Sequence, residues 1–187
     1  MPQKPILMIH EIREWMFELP LEDYILTFDD GLYSQYYFWP KIKKIPTEKI
    51  FFISSGIVSQ EKQSREFPIC NIAHQKAFNG IFEDYMTLDQ IKELDRDPLV
   101  TIGGHGHNHR RLNTFTGLLA KVEYIKQDTQ QMLDWFVSNL GFKPTKFCFP
   151  YNDDLDGLYP GLLKKYGICD FYGRDRLKIE DFETVHS

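Results

Sequence analysis

The stretch ILTFDDGLYS, residues 25–34, places two adjacent aspartates, Asp29 and Asp30, after an apolar run and directly before Gly31. Successive side chains of a strand point to opposite faces of a sheet, so the two carboxylates cannot share a site while the strand continues. Gly31 permits a sharp turn here, which allows both carboxylates to reach the same open end of the sheet. Residue type alone leaves two hypotheses open: a functional site, or an aspartate that only caps the following helix.

Short apolar runs like the one before Asp29 recur along the chain and predict its architecture. They occupy residues 5–10, 24–29, 49–54, 99–104 and 146–151, with a weaker run at 168–173. Near-continuous apolar runs are typical of strands covered on both faces, as in parallel sheets. Helical patterns alternate with them, the longest at 116–141 and a shorter one at 87–98 that begins at an N-cap threonine, Thr87. This alternation predicts an α/β fold, a barrel of fewer than eight units.

Two segments give weaker signals. Residues 34–44 form a helical pattern that Pro40 interrupts, and residues 59–85 predict a long loop. The chain contains no repeat and no low-complexity segment, and its 187 residues are enough for one domain with a substantial core. The prediction is therefore a single catalytic domain over residues 1–187.

Composition excludes several classes of protein. A hydrophobic content of 42% indicates a folded protein, and a net charge of -5 without a dense basic stripe argues against nucleic-acid binding. The three cysteines, Cys70, Cys148 and Cys169, form no CxxC pair, which argues against a disulfide framework or a cysteine zinc site and favours buried, reduced thiols. The apolar run near the N-terminus is too short for a signal peptide or a membrane span, so a cytoplasmic location without membrane insertion is predicted.

A histidine cluster, HGHNH at residues 105–109, follows another predicted strand. His105 and His109 lie four residues apart and converge on one face if the segment turns helically, whereas His107 is offset by two and is expected to point away. Imidazole nitrogens combined with a carboxylate suit zinc, cobalt, iron or nickel. One carboxylate and two histidines leave coordination positions open for water, as in hydrolytic metal sites, and a neighbouring carboxylate is then placed to act as general base.

A third candidate, FCFPYND at residues 147–153, also lies at a predicted strand end. Pro150 restricts the backbone, and Tyr151 offers an amide N–H for an oxyanion and a ring as a platform for a sugar. On its own this stretch fits core aromatics followed by a turn better than it fits a site.

The stretches TFDDG, HGHNH and FCFPYND, in this order, resemble the motifs of the polysaccharide deacetylase family (NodB-homology domains, carbohydrate esterase family 4). The resemblance covers nearly the whole chain and implies a distorted (β/α) barrel of about six to seven strands. It also implies that Asp29 is the general base and that Asp30, His105 and His109 are metal ligands. Gly106 stands where the family usually has serine or threonine.

Two departures from the family pattern concern catalytic groups. The arginine that usually opens the third motif and braces the catalytic aspartate is replaced by Cys148. The last family motif, an apolar strand ending in the histidine that acts as general acid, has no clear counterpart near the C-terminus, where only FETVHS with His186 is found. PILMIH at residues 5–10 has that character instead, and some family members are circularly permuted. His10 is therefore the predicted acid, with His186 as the alternative.

The resemblance implies a metal-dependent deacetylase that hydrolyses the N-acetyl, or another N-acyl, amide of an amino sugar or glycan precursor. Its cofactor is one divalent ion, zinc in the first place, with cobalt, nickel, iron or manganese as alternatives. Asp29 takes a proton from water, His10 protonates the leaving amine, and Pro150 and Tyr151 face the substrate and its oxyanion. The expected partner is an N-acylated sugar, nucleotide sugar or glycan precursor.

Two other functions stay open at this point. Relatives of the fold hydrolyse non-sugar C–N bonds of cyclic amides or ureides, and the missing arginine favours such divergence. An inactive metal-containing module that binds glycans is the third hypothesis.

Overall fold

The computed structural model describes residues 4–60 and 63–185. Its strands are β1 (Ile6–Ile9), β2 (Ile25–Phe28), β3 (Lys49–Ile53), β4 (Val100–Gly104), β5 (Lys146–Cys148), β6 (Asp170–Tyr172) and β7 (Leu177–Lys178). Its α-helices are α1 (Tyr33–Tyr37), α2 (Trp39–Ile42), α3 (Cys70–Phe78), α4 (Leu88–Leu94), α5 (Leu118–Leu140) and α6 (Leu158–Leu163), and short 3-10 helices connect several of these elements.

The chain divides into two compact units. Unit 1 comprises residues 1–51, 58–102 and 176–187, and unit 2 comprises residues 52–57 and 103–175. Strands β3 and β4 each contribute residues to both units. The earlier expectation of a single catalytic domain stays a prediction.

The seven strands follow the order β6-β5-β4-β3-β2-β1-β7. In unit 1, β1 pairs in parallel with both β2 and β7, and β2 pairs in parallel with β3. In unit 2, β5 pairs in parallel with β4 and with β6. The pairing of β3 with β4 is also parallel, because its hydrogen bonds advance together along both strands: Lys49 N–H to the Leu99 carbonyl, and His105 N–H to the Ile53 carbonyl.

The predicted α/β class is confirmed, and all six predicted strands are present. The apolar runs form strands because both faces are covered: all five residues of β3 are buried, and Leu7, Leu26 and Phe51 are inaccessible to solvent. The seventh strand, β7, was not predicted. It has two exposed residues and therefore carries no apolar pattern.

The predicted helices are found close to their expected bounds. Thr87 is the N-cap of α4: its hydroxyl accepts from the Gln90 N–H while the Gln90 side chain accepts from the Thr87 N–H, a capping box. Gly141 is the C-cap of α5. Phe38 separates α1 from α2, two residues before Pro40. No helix within the described ranges is both long and apolar enough to span a membrane.

The prediction of a loop over residues 59–85 is wrong for its middle part, where α3 lies. The buried face of this helix consists of Ala73, His74 and Ala77, while Ile72 and Phe78 are exposed. Small and polar residues on the covered face leave no apolar periodicity for sequence reasoning to detect.

Candidate active site

In unit 1, the strands β1 and β2 end side by side, each followed by a candidate catalytic residue. Ile9 pairs with Phe28 at the last register position, so His10 and Asp29 come next on adjacent strands. Gln35 of α1 holds the two strand ends together, because its side-chain amide donates to the carbonyls of His10 (2.8 Å) and Asp29 (2.6 Å). Carboxyl ends of parallel strands are where α/β folds place their sites.

Asp29 is held by a residue that the sequence did not reveal. Both guanidinium nitrogens of Arg176 donate to its carboxylate, one to each oxygen at 2.7 Å, and one of them also donates to Thr27 Oγ1 at 2.9 Å. Both members of the pair are only 2% exposed at their side chains. A bidentate pair fixes the plane of the carboxylate. Arg176 therefore braces Asp29 in the way that the resemblance implied for an arginine at the position of Cys148.

Asp30 leaves the strand direction through a left-handed backbone. Its φ is 73°, followed by 77° at Gly31, so the chain turns where the sequence suggested. A non-glycine residue in this region costs about 1–3 kcal/mol and persists only where its surroundings impose it. The Asp30 carboxylate is buried and lies 3.5 Å from Nε2 of His74, a buried residue of α3 that sequence reasoning missed. The hypothesis that Asp30 only caps a helix is not supported, since α1 begins at Tyr33 without a side-chain cap.

His10 is partly buried, and Glu180 lies 3.9 Å from its Nδ1. Burial lowers the pKa of His10, but the carboxylates of Glu180, Asp30 and Asp29 outweigh it and raise that pKa from 6.5 to about 9. The imidazole is therefore protonated at neutral pH and able to give a proton away. No sequence motif points to Glu180, which lies 170 residues further along the chain in an acidic stretch.

Cys70, at the start of α3, lies close to this group. Ligand atoms of His10, Asp30 and Cys70 all lie within 4.8 Å of one another. Burial, together with the charges of Asp30, Glu11 and Glu180, raises the pKa of the Cys70 thiol to about 12. In the absence of a metal ion this thiol is therefore protonated.

In unit 2, the two outer histidines of HGHNH face each other. The Nε2 atoms of His105 and His109 are 3.2 Å apart, and both residues are buried. Nδ1 of His105 lies 2.7 Å from the Cys148 carbonyl oxygen, which only accepts hydrogen bonds, so Nδ1 carries the proton and Nε2 the lone pair. This arrangement is typical of metal-binding histidines, whose second nitrogen donates to a carbonyl.

The middle histidine of the motif is engaged elsewhere. Nδ1 of His107 lies 2.8 Å from Ser55 Oγ, and burial lowers the pKa of its ring, an effect that the charge of Asp128 partly opposes. His107 is therefore a neutral residue of the loop that contacts Ser55, in keeping with the expectation that it does not share the direction of His105 and His109.

The third motif also lies in unit 2. Pro150 begins a short 3-10 helix, and Tyr151 and Asn152 adopt φ values of 58° and 54°. The Tyr151 ring lies between His109, at 4.7 Å between centroids, and Arg111, whose guanidinium carbon is 3.8 Å from the ring centroid. The ring is therefore held beside the histidine pair, next to a cation on its face.

Unit 1 brings together Asp29, Asp30 and His10, and unit 2 brings together His105, His109, Pro150 and Tyr151. His186, the alternative acid, lies outside the described residues. The expectation of buried thiols is correct for Cys148, whereas Cys70 is partly exposed and Cys169 is exposed. All three thiols are free.

Comparison with known proteins gives one sequence match and several similar structures. The profile of the family described as polysaccharide deacetylase matches residues 20–168. No curated protein sequence matches. IcaB from Ammonifex degensii is 18% identical, with a TM-score of 0.69 over 97% of this chain and 94% of that chain. A de-N-acetylase from Aggregatibacter actinomycetemcomitans is 14% identical, with a TM-score of 0.65 over 93% of this chain and 92% of its own.

The deacetylase PplD of Streptococcus pyogenes, solved with acetate, is also similar. It is 14% identical, with a TM-score of 0.61 over 98% of this chain and 97% of that chain. At such identities the three structures are evidence of the fold, and they confirm the predicted NodB-like distorted barrel.

Proposed function

Because this chain belongs to the polysaccharide deacetylase family, we propose that it hydrolyses the N-acetyl, or another N-acyl, amide of an amino sugar or glycan precursor with the help of a divalent metal ion. Asp29 with its arginine, and His10 with its raised pKa, supply a base and an acid in unit 1. The N-acyl linkage is further supported by the likeness in fold to a protein described as a de-N-acetylase.

One observation carries the metal: the 3.2 Å separation between the Nε2 atoms of His105 and His109. Two nitrogens at about 2.0–2.1 Å from a tetrahedral zinc ion lie about 3.3 Å apart, so the spacing fits two ligands of one ion. The proton on Nδ1 of His105 directs the Nε2 lone pair to that ion. We propose that Asp30 is the third ligand, on the basis of its place in the TFDDG motif, and that the ion is zinc.

A divalent ion held there would polarise the acyl carbonyl and lower the pKa of a coordinated water. The chain's own groups then move the protons. The Asp29 carboxylate takes a proton from the attacking water, and Arg176 holds the plane of that carboxylate. Protonated His10 gives its proton to the departing amine. The Tyr151 backbone N–H donates to the oxyanion and stabilises it. Cleavage of the amide C–N bond then gives a free amine and a carboxylate as products.

Metal content gives the first test. Protein purified without chelator is expected to hold about one divalent ion per chain, and His105→Ala to lose it, because the variant removes one of two converging nitrogens. His107→Ala is the matched control, since its ring contacts Ser55 and the variant is expected to keep the ion. Inductively coupled plasma mass spectrometry measures both. Wild-type protein without bound metal, or equal loss in both variants, would contradict the proposed site.

The pH profile tests His10. Activity that needs protonated His10 falls as the pH rises through the pKa of His10 in the folded protein, which is about 9 in the absence of a metal ion. A bound cation lowers this value equally in wild type and variant, so the difference between them reports on Glu180. Glu180→Gln is expected to move the alkaline limb of kcat to lower pH by about one unit, because it removes a carboxylate that favours the imidazolium.

Asp181→Asn is the control for the pH profile, because it makes the same change in net charge at an exposed neighbour of Glu180. Its alkaline limb is expected to coincide with that of the wild type. If Glu180→Gln leaves the limb in place while His10→Ala retains full kcat, the acid is another residue, and His186→Ala is then the variant to measure.

The substrate is tested by release of acetate. N-acetylated nucleotide sugars and oligosaccharides are incubated with the metal-loaded protein, and cyclic amides and ureides serve as the competing class. Acetate from the sugars supports the proposal, and ring opening alone supports the second class. If the metal-loaded protein neither releases acetate from the sugars nor opens the rings, an inactive glycan-binding module is supported. The missing family arginine no longer favours the second class, because Arg176 pairs with Asp29.

A further inference from the structure

Asp128, in the middle of α5, connects that helix to the loop between the two candidate metal histidines. Its side chain is 1% exposed. One carboxylate oxygen accepts from the His107 backbone N–H at 2.8 Å. The other accepts from the Asn108 backbone N–H at 2.9 Å, from the Asn108 side chain at 2.9 Å and from the Tyr124 hydroxyl at 3.1 Å. The described residues place no lysine or arginine in an ion pair with it, so these donors alone compensate the buried charge.

Gly106 shows how closely the carboxylate approaches the loop. A Cβ atom at this position would lie 2.7 Å from Asp128 Oδ2, and the φ of Gly106 is 76°. A side chain here would strain the left-handed backbone and push the Asp128 carboxylate away from the loop. A hydroxyl residue at position 106, usual in the family, cannot coexist with Asp128 in this position, and the carboxylate occupies the space instead.

The opposite side of the loop is held by the end of β3 and the residues after it. Ser54 Oγ donates to the His105 carbonyl at 3.0 Å, the Ser55 N–H donates to the Gly106 carbonyl at 3.1 Å, and the Gly56 N–H donates to the His107 carbonyl at 2.8 Å. In these bonds the carbonyls of the loop accept, whereas in the bonds to Asp128 the backbone N–H groups of the loop donate. Only with both sets is the backbone between His105 and His109 fixed on both sides.

We propose that Asp128 is a positioning residue that sets the spacing between the Nε2 atoms of His105 and His109 and thereby the affinity for the metal ion. This inference rests on the proposed function and adds to it a residue outside its three motifs. The carboxylate acts through the backbone at 107 and 108: His109, with a φ of 48°, follows directly after the second of these two amides. A release of this anchor lets the strained backbone relax and moves the His109 ring away from His105.

The test is the affinity of Asp128→Asn for Zn²⁺ and Co²⁺, measured by competition with a chromophoric chelator. An asparagine has one acceptor oxygen in place of two, so it cannot accept from both backbone amides, although its volume is unchanged. The expected result is a Kd for each ion that is about 10–100-fold higher, with an altered visible spectrum of the Co²⁺ form. Asp134→Asn, on the exposed side of the same helix, is the matched control with an unchanged Kd and spectrum.

Three outcomes separate the hypotheses. If Asp128→Asn binds both ions with the wild-type Kd and spectrum and only its melting temperature falls, the residue stabilises the fold and the inference is overturned. If Asp128→Asn does not fold, Tyr124→Phe and Asn108→Ala each remove one donor from the carboxylate, and an unchanged Kd in both variants overturns the inference equally. If the wild-type protein itself binds neither ion, it is the proposed function that fails.

Discussion

Asp29→Asn is expected to lower kcat by about 10²–10⁴-fold while the metal content per chain stays the same, because proton abstraction by a positioned base contributes a factor of this size. The amide has nearly the shape of the carboxylate but cannot take a proton from water. It still occupies the place between Arg176 and the end of β2, so the neighbouring groups keep their positions. Steady-state acetate release and metal content, measured on the same preparation, give both quantities.

Asp30→Asn is the control that separates the two adjacent aspartates. Because Asp30 is a proposed metal ligand, Asp30→Asn is expected to lower both metal content and turnover. Asp29→Asn is expected to lower turnover alone. Asparagine also tolerates the left-handed backbone at this position, where φ is 73°, so the variant isolates the charge from the turn. Retention of turnover in Asp29→Asn would show that the base is another residue.

Arg176→Met is expected to lower the free energy of unfolding by about 3–5 kcal/mol, because it leaves the Asp29 carboxylate buried without its partner. The pair is inaccessible to water, so little solvent reaches the remaining charge. The hydroxyl of Thr27 loses the donor from Arg176 in the same variant, although it still donates to the Leu7 carbonyl. Urea denaturation at neutral pH, followed by circular dichroism, measures the change.

Two further variants show whether the loss comes from the orphaned charge. Asp29→Leu combined with Arg176→Met replaces both members by apolar groups and is expected to recover most of the stability without any activity. Arg174→Met, two residues earlier at an exposed position, is expected to change the free energy of unfolding by less than about 0.5 kcal/mol. A denaturation midpoint of Arg176→Met equal to that of the wild type would show that the pair does not stabilise the fold.

The strands and the long helix could be predicted from the sequence because their signals are local. An apolar run such as ILTF at 25–28 reports directly on burial of both sheet faces. β7 and α3 lack such signals: the former has two exposed residues, and the latter covers its buried face with Ala73, His74 and Ala77.

The candidate functional residues likewise fall into those with a local sequence signal and those without one. Asp29, Asp30, His105 and His109 lie in compact motifs. Arg176 contacts Asp29, His74 contacts Asp30 and Glu180 contacts His10 from distant parts of the chain. No local pattern joins Arg176 to Asp29. The presence of Cys148 where an arginine was expected indicates only that any such arginine must come from another position. Asp128 could be noticed in the sequence, because it is a charged residue on the buried face of α5, between Ile125 and Met132.

The ion pair between Asp29 and Arg176 also has a consequence for how the protein is made. Its two members are 147 residues apart in sequence, so the ribosome releases Asp29 long before it releases the guanidinium that neutralises it. During that interval, burial of Asp29 at the end of β2 would desolvate a lone carboxylate, which favours an open arrangement of this strand end in the nascent chain. Closure of so long a loop comes late in folding. The carboxylate proposed as base is therefore neutralised only after synthesis has passed Arg176.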